Sequence, residues 1–138
     1  MITLLTGTKG SGKTKKLIAL IADAAQASAG HVICVEQKDA LRYDVKTSVR
    51  LVSTDDYAVS GYDAFYGILA GLCAGDHDIT DILVDATLRI GSRDMDELAA
   101  FLAKVNTLSE KTDVKFTFTV STDTENIPAS VKEFCELV

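Results

Sequence analysis

The chain opens on a five-residue apolar run, Ile2-Thr3-Leu4-Leu5-Thr6, with the length and composition of a buried parallel strand. From Lys13 to Ser28 the apolar residues fall at 17, 18, 20, 21, 24 and 25, a helical spacing, and Gly30 stands where such a helix would stop. His31-Val32-Ile33-Cys34-Val35-Glu36 is a second, β-branched run of strand length. Val49 to Ser53 is a third, shorter and interrupted by Arg50, the pattern of an edge strand. Asp81-Ile82-Leu83-Val84-Asp85 reads as a fourth strand and Lys115 to Ser121 as a fifth. Helical patterns cover about 60–74, 94–110 and 128–137. Ser60 and Asp94 are the expected N-caps, Asp94 with Glu97 as a capping box, and Pro128 suits a first turn. Strands alternating with helices predict an α/β fold, a mainly parallel sheet of about five strands with helices on both faces. Sheets of this kind hold ligands at the carboxyl ends of their strands.

Composition narrows the picture. With 138 residues and 47% hydrophobic content, the expectation is a single domain over 1–138 with a real core. One proline, no linker-like stretch and no repeat give no reason to place a boundary. The longest nearly apolar stretch, Ala64 to Ala74, is too short to span a bilayer, and no basic segment precedes a hydrophobic one, so neither a membrane partner nor a signal peptide is expected. Cys34, Cys73 and Cys135 are odd in number and far apart, without metal-ligand spacing. They read as small buried hydrophobes in a reducing, cytoplasmic setting. A formal net charge of −6 weighs against nonspecific nucleic-acid binding. Against that background Lys9, Lys13, Lys15 and Lys16 form a local basic cluster.

That cluster lies in Gly7-Thr8-Lys9-Gly10-Ser11-Gly12-Lys13-Thr14, which fits the phosphate-loop pattern of Gly, four residues, Gly-Lys-Ser/Thr. The glycines permit a tight turn whose amides face a polyphosphate, and the helix that follows adds its positive end. All eight residues are candidate nucleotide contacts. Lys13 is expected to reach the β- and γ-phosphates, and the Thr14 hydroxyl to ligate Mg²⁺. Asp85, closing the apolar run 82–84, is the second candidate metal ligand, holding Mg²⁺ through water opposite Thr14.

The two segments, GTKGSGKT and ILVD, resemble the P-loop NTPase superfamily over nearly the whole chain. The resemblance implies a three-layer P-loop fold, ATP and Mg²⁺ as cofactors, and a nucleotide as partner. There is no Asn-Lys-x-Asp segment of the GTPase kind, and Thr8 stands where partition ATPases carry a signature lysine. Thr119, Ser121 and Thr122 resemble the sensor strand of the additional-strand, RecA-like branch. The chain is also similar to small P-loop proteins of anaerobic Gram-positive bacteria that go by the description of twitching-motility ATPases. Pilus retraction motors are longer, and their separate N-terminal domain and acidic and histidine boxes have no counterpart here.

In many ATPases of that branch a catalytic glutamate follows the metal-binding aspartate; here Ala86 follows Asp85. RecA-type recombinases place it at the end of the second core strand instead, and Glu36 occupies that place. Glu36 is therefore the candidate general base, with Lys13 the candidate charge stabiliser. Arg89 and Arg93, flanking Gly91, are candidates for an arginine offered to a neighbouring subunit. Asp76-His77-Asp78 reads as a polar turn. Tyr62, Phe65, Tyr66, Leu69, Leu72 and Cys73 form an apolar stripe on the 60–74 helix, with Gly67 and Gly71 opening a groove. The stripe serves either packing on the sheet or an interface with a second copy or another protein. Three functions follow: a weak Mg-dependent ATPase, a nucleotide sensor without turnover, or a small-molecule kinase.

Overall fold

The computed structural model describes all 138 residues. In chain order the elements are β1 (Ile2–Thr6), α1 (Lys13–Ala27), β2 (His31–Glu36), β3 (Arg50–Ser53), α2 (Tyr62–Gly75), β4 (Ile79–Val84), α3 (Thr87–Ile90), α4 (Met95–Thr112), β5 (Lys115–Val120), α5 (Ala129–Lys132) and β6 (Cys135–Leu137). The strands form one sheet in the order β3-β2-β4-β5-β1-β6. Every pairing in it is parallel. β5 thus stands between the strand that feeds the glycine loop and the strand that ends before Asp85.

Alternation along the strands sorts the core onto two faces. Val32 and Cys34 of β2 pack with Leu17 and Ile21 of α1. Ile33 and Val35, from the same strand, belong to a larger cluster with Phe65 and Leu69 of α2 and Leu98, Phe101 and Leu102 of α4. That cluster is knit by aromatic contacts, with ring centroids 4.7 Å apart for Phe65–Phe101 and 5.7 Å for Phe101–Phe118. Helices therefore cover both faces of the sheet. No helix is long and apolar enough to cross a membrane. All three cysteines are free and buried.

The sheet has six strands where five were expected. The helical pattern over 128–137 resolves into one turn capped by Pro128, followed by β6. β6 pairs Cys135 with Ile2 and Leu137 with Leu4, so it occupies the free edge of β1. Ladder bonds to an open strand edge outweigh the local helical spacing there. α2 begins one residue later than Ser60 would cap it: its N-cap is Gly61 at φ 85°, without a side-chain cap. Asp94 does cap α4, accepting from the amides of Asp96 and Glu97 at 2.9 and 3.1 Å. The reciprocal half of the box is replaced by a relay. Glu97 accepts from the Ser92 hydroxyl, and that hydroxyl oxygen accepts from the Asp94 amide.

Most of the α2 stripe is used internally. Phe65, Leu69 and Cys73 are buried, Tyr62 lies 5.0 Å from the Phe101 ring, and Lys104 covers Tyr66 with its ammonium 4.4 Å from the ring centre. Gly67 and Gly71 face open space.

Candidate phosphate and metal site

The carboxyl ends of β1, β5 and β4 meet the N-terminus of α1, and the residues between them form the site. β1 runs straight into the loop 7–12, whose first amide, Gly7, is tied to the Thr122 carbonyl at 2.9 Å beyond β5. Gly10 and Gly12 both sit at φ 87°, a left-handed conformation in which a side chain would be strained. Such a turn aims successive amides inward. The first amide of α1 with a backbone acceptor is that of Lys16, bonded to Gly12 O. The preceding amides at Lys13, Thr14 and Lys15 are the orphan donors of a helix start, where the macrodipole is positive.

Lys13 is 8% exposed, and its ammonium donates to the Thr8 carbonyl at 2.9 Å and to Ser11 Oγ at 3.4 Å. Both partners are neutral. The two ion pairs of the protein, His31–Asp76 and Arg42–Asp39, lie elsewhere. A largely buried ammonium satisfied only by neutral oxygens is an electrostatic demand for an anion.

Asp85 lies across from this lysine. Its Oδ1 accepts from Thr119 Oγ1 at 2.6 Å and its Oδ2 from Thr14 Oγ1 at 3.4 Å. Thr119 Oγ1 in turn accepts from the Ala86 amide at 3.0 Å. Thr119 therefore orients the carboxylate from the intervening strand β5, a role legible in sequence only as one of three polar residues late in that strand. The oxygen pair of Thr14 and Asp85 suits a hard divalent cation. The groove around these groups has a volume of about 370 Å³, within the range of small-molecule sites. Its walls include Lys9, Lys13, Thr14, Asp85, Arg89 and Ser121. Arg89 thus lines the protein's own groove.

Glu36 ends β2, one strand beyond β4, on the same face of the sheet as Cys34. It is buried, and it is not part of the groove wall. Its Oε1 accepts from the amides of Ala40 at 2.9 Å and Leu41 at 3.3 Å, and its Oε2 from Leu41 at 3.3 Å. Burial pushes its pKa above the usual value, against the pull of these amides; the nearby charges of Asp39 and Asp85 push it further up. Burial likewise drives the Cys34 thiol up to about 12, aided by the charges of Glu36 and Asp85, so it is inert at neutral pH.

The geometry accordingly brings Gly7 to Thr14 and Asp85 together and leaves Glu36 at one remove, holding its own loop. At the other end of the sheet, the Asp76-His77-Asp78 turn is closed by His31, whose Nδ1 lies 2.6 Å from Asp76 Oδ2. This hydrogen bond, with the Asp76 charge, raises the His31 pKa; the same bond, with that from the Asp78 amide, lowers the pKa of Asp76. No protein-family model matches the chain, and no curated protein is significantly similar to it.

Proposed function

We propose that this chain is a P-loop NTPase of the RecA-like, additional-strand kind, with the three-layer arrangement of that superfamily. Within that class, it is a cytoplasmic protein that binds ATP with Mg²⁺ and hydrolyses it slowly. The observation that carries the reading is the buried Lys13 ammonium inside a left-handed glycine loop, bonded only to neutral oxygens and in no ion pair. The position of β5 between β1 and β4 supports the branch, and Thr119 supports the role of Asp85.

On this reading the loop amides and Lys13 hold the β- and γ-phosphates, and Thr14 and Asp85 hold the metal. Mg²⁺, when bound, neutralises charge on the phosphate oxygens. Thr119 keeps the Asp85 carboxylate turned toward the metal position. Glu36 is the candidate base, its pKa raised by burial, which makes the carboxylate a stronger proton acceptor than an exposed one. Its Oε2 accepts a single amide bond and so keeps acceptor capacity for a water.

Asp85→Asn removes a charge aimed at the cation while keeping shape, so it is expected to weaken ATP binding in the presence of Mg²⁺ far more than binding of metal-free ATP. Calorimetry with and without Mg²⁺ measures this, and equal loss in both conditions rejects the metal role.

A second reading, a nucleotide sensor that binds without turnover, is favoured by two observations. Ala86 replaces the acid that often follows such an aspartate, and the Glu36 carboxylate is held by its loop. Phosphate release separates the two. A slow ATPase releases phosphate faster than its Lys13→Ala variant, and Glu36→Gln abolishes most of that turnover while retaining ATP affinity. A sensor releases no more than Lys13→Ala does.

A further inference from the structure

Two residues after β4 stands a left-handed residue, Ala86 at φ 62°, which turns the chain into the single turn α3. That turn is fixed at three points. The Gly91 amide bonds Thr87 O at 2.9 Å, the Gly61 amide bonds Ile90 O at 2.8 Å, and Tyr62 Oη donates to Ser92 O at 2.6 Å. The backbone that carries Arg89 and Arg93 is therefore anchored to α2.

Between these arginines and the start of the glycine loop lies a hollow of about 270 Å³, small beside the pockets that hold drug-sized ligands. Its charged walls are Lys9, Arg89 and Arg93, and its polar walls include Thr8 and Ser121; no acidic side chain lines it. None of the three cations belongs to an ion pair, in a chain with 20 acidic and 14 basic residues. Like charges gathered in one concavity repel one another and attract an anion into it. Lys9, Arg89 and Ser121 also line the groove of Lys13 and Thr14, so the two cavities adjoin; Arg93 and Thr8 line the hollow alone.

We infer that this hollow binds the phosphate group of a second small ligand, beside the terminal phosphate of the nucleotide. Two guanidinium forks, an ammonium and two hydroxyls supply more donors than a two-oxygen carboxylate can use, and they match a phosphate. The volume excludes a second nucleotide from full burial and suits a small phosphorylated molecule. The inference rests on the nucleotide reading above, because it takes the adjoining groove to be filled by the triphosphate.

The test uses inorganic phosphate as the probe and saturates the nucleotide groove first. Full-length protein is loaded with Mg²⁺ and the non-hydrolysable analogue AMPPNP, then titrated with phosphate by calorimetry, with potassium chloride holding the ionic strength constant. Wild type is expected to bind phosphate, Arg93→Ala to bind it at least about tenfold more weakly, and Arg93→Lys to recover part of the loss. AMPPNP affinity is expected to change less than about twofold in Arg93→Ala, whose folding is verified by thermal melting. Three results overturn the inference: no phosphate binding by loaded wild type, equal binding by Arg93→Ala, or an equal loss of AMPPNP binding in that variant. The last would make the hollow part of the nucleotide site. If wild type binds no AMPPNP, the nucleotide reading falls by itself. Phosphate binding that survives in Lys13→Ala and is lost in Arg93→Ala would then leave the second site standing, and its absence in both would remove it too.

Discussion

Gly91 shows how tightly the residues behind the site are fitted. A Cβ built there would lie 2.1 Å from Cε1 of Tyr62. The demand for glycine here is one of space beside that ring. The Tyr62 ring cannot retreat, because it is wedged against Phe101 and its hydroxyl is tied to Ser92 O. Gly91→Ala should therefore destabilise the fold by about 1–3 kcal/mol, the usual penalty for overpacking. In a Tyr62→Ala background the same change should cost much less, since the clash is with that ring. Urea unfolding of the two single variants and the double variant measures the coupling; additive losses would show that the contact is not the cause. Neither end of this contact could be read from sequence. Gly91 was visible only as a turn between two arginines, and Tyr62 only as part of an apolar stripe, because the pair is joined by tertiary packing across 29 positions.

Among the elements, helix starts separate what local chemistry decides from what it does not. Asp94 caps α4 through two amides, so Asp94→Ala should lower stability by about 1 kcal/mol, with Asp94→Asn losing only a part. Chemical denaturation checks this, and an unchanged midpoint would mean the cap contributes nothing in water. The cap was legible because an acid three residues before Glu97 satisfies the rule by itself. α2 violates the same rule, since a left-handed Gly61 starts it and the Ser60 side chain makes no cap bond. The strands were legible where β-branched runs are long, as in β2, and the shortness of β3 matched its edge position. β6 was not, because three residues carry no period and only the free edge of β1 selects them.

For the whole molecule, alternation of strands and helices forecast the α/β class and a parallel sheet, but strand order was beyond it. That order places Thr119 between Asp85 and the glycine loop and sets Glu36 one strand outside the groove. The spacing of the octapeptide, by contrast, needed no tertiary information, since a glycine turn before a helix is a local structure. The consequence is an acidic protein, net −6, with Lys9, Lys13, Lys15, Arg89 and Arg93, all outside any ion pair, gathered around one end of its sheet. Lys13 is the most buried of them, and the account depends on its charge awaiting a polyphosphate. Calorimetric titration of Mg-ATP into folded wild type and Lys13→Ala tests this most directly. Binding by wild type that weakens at least about tenfold in the variant is the predicted result, the loss expected for a charge-assisted contact. Equal affinities, or no binding by wild type, would contradict it.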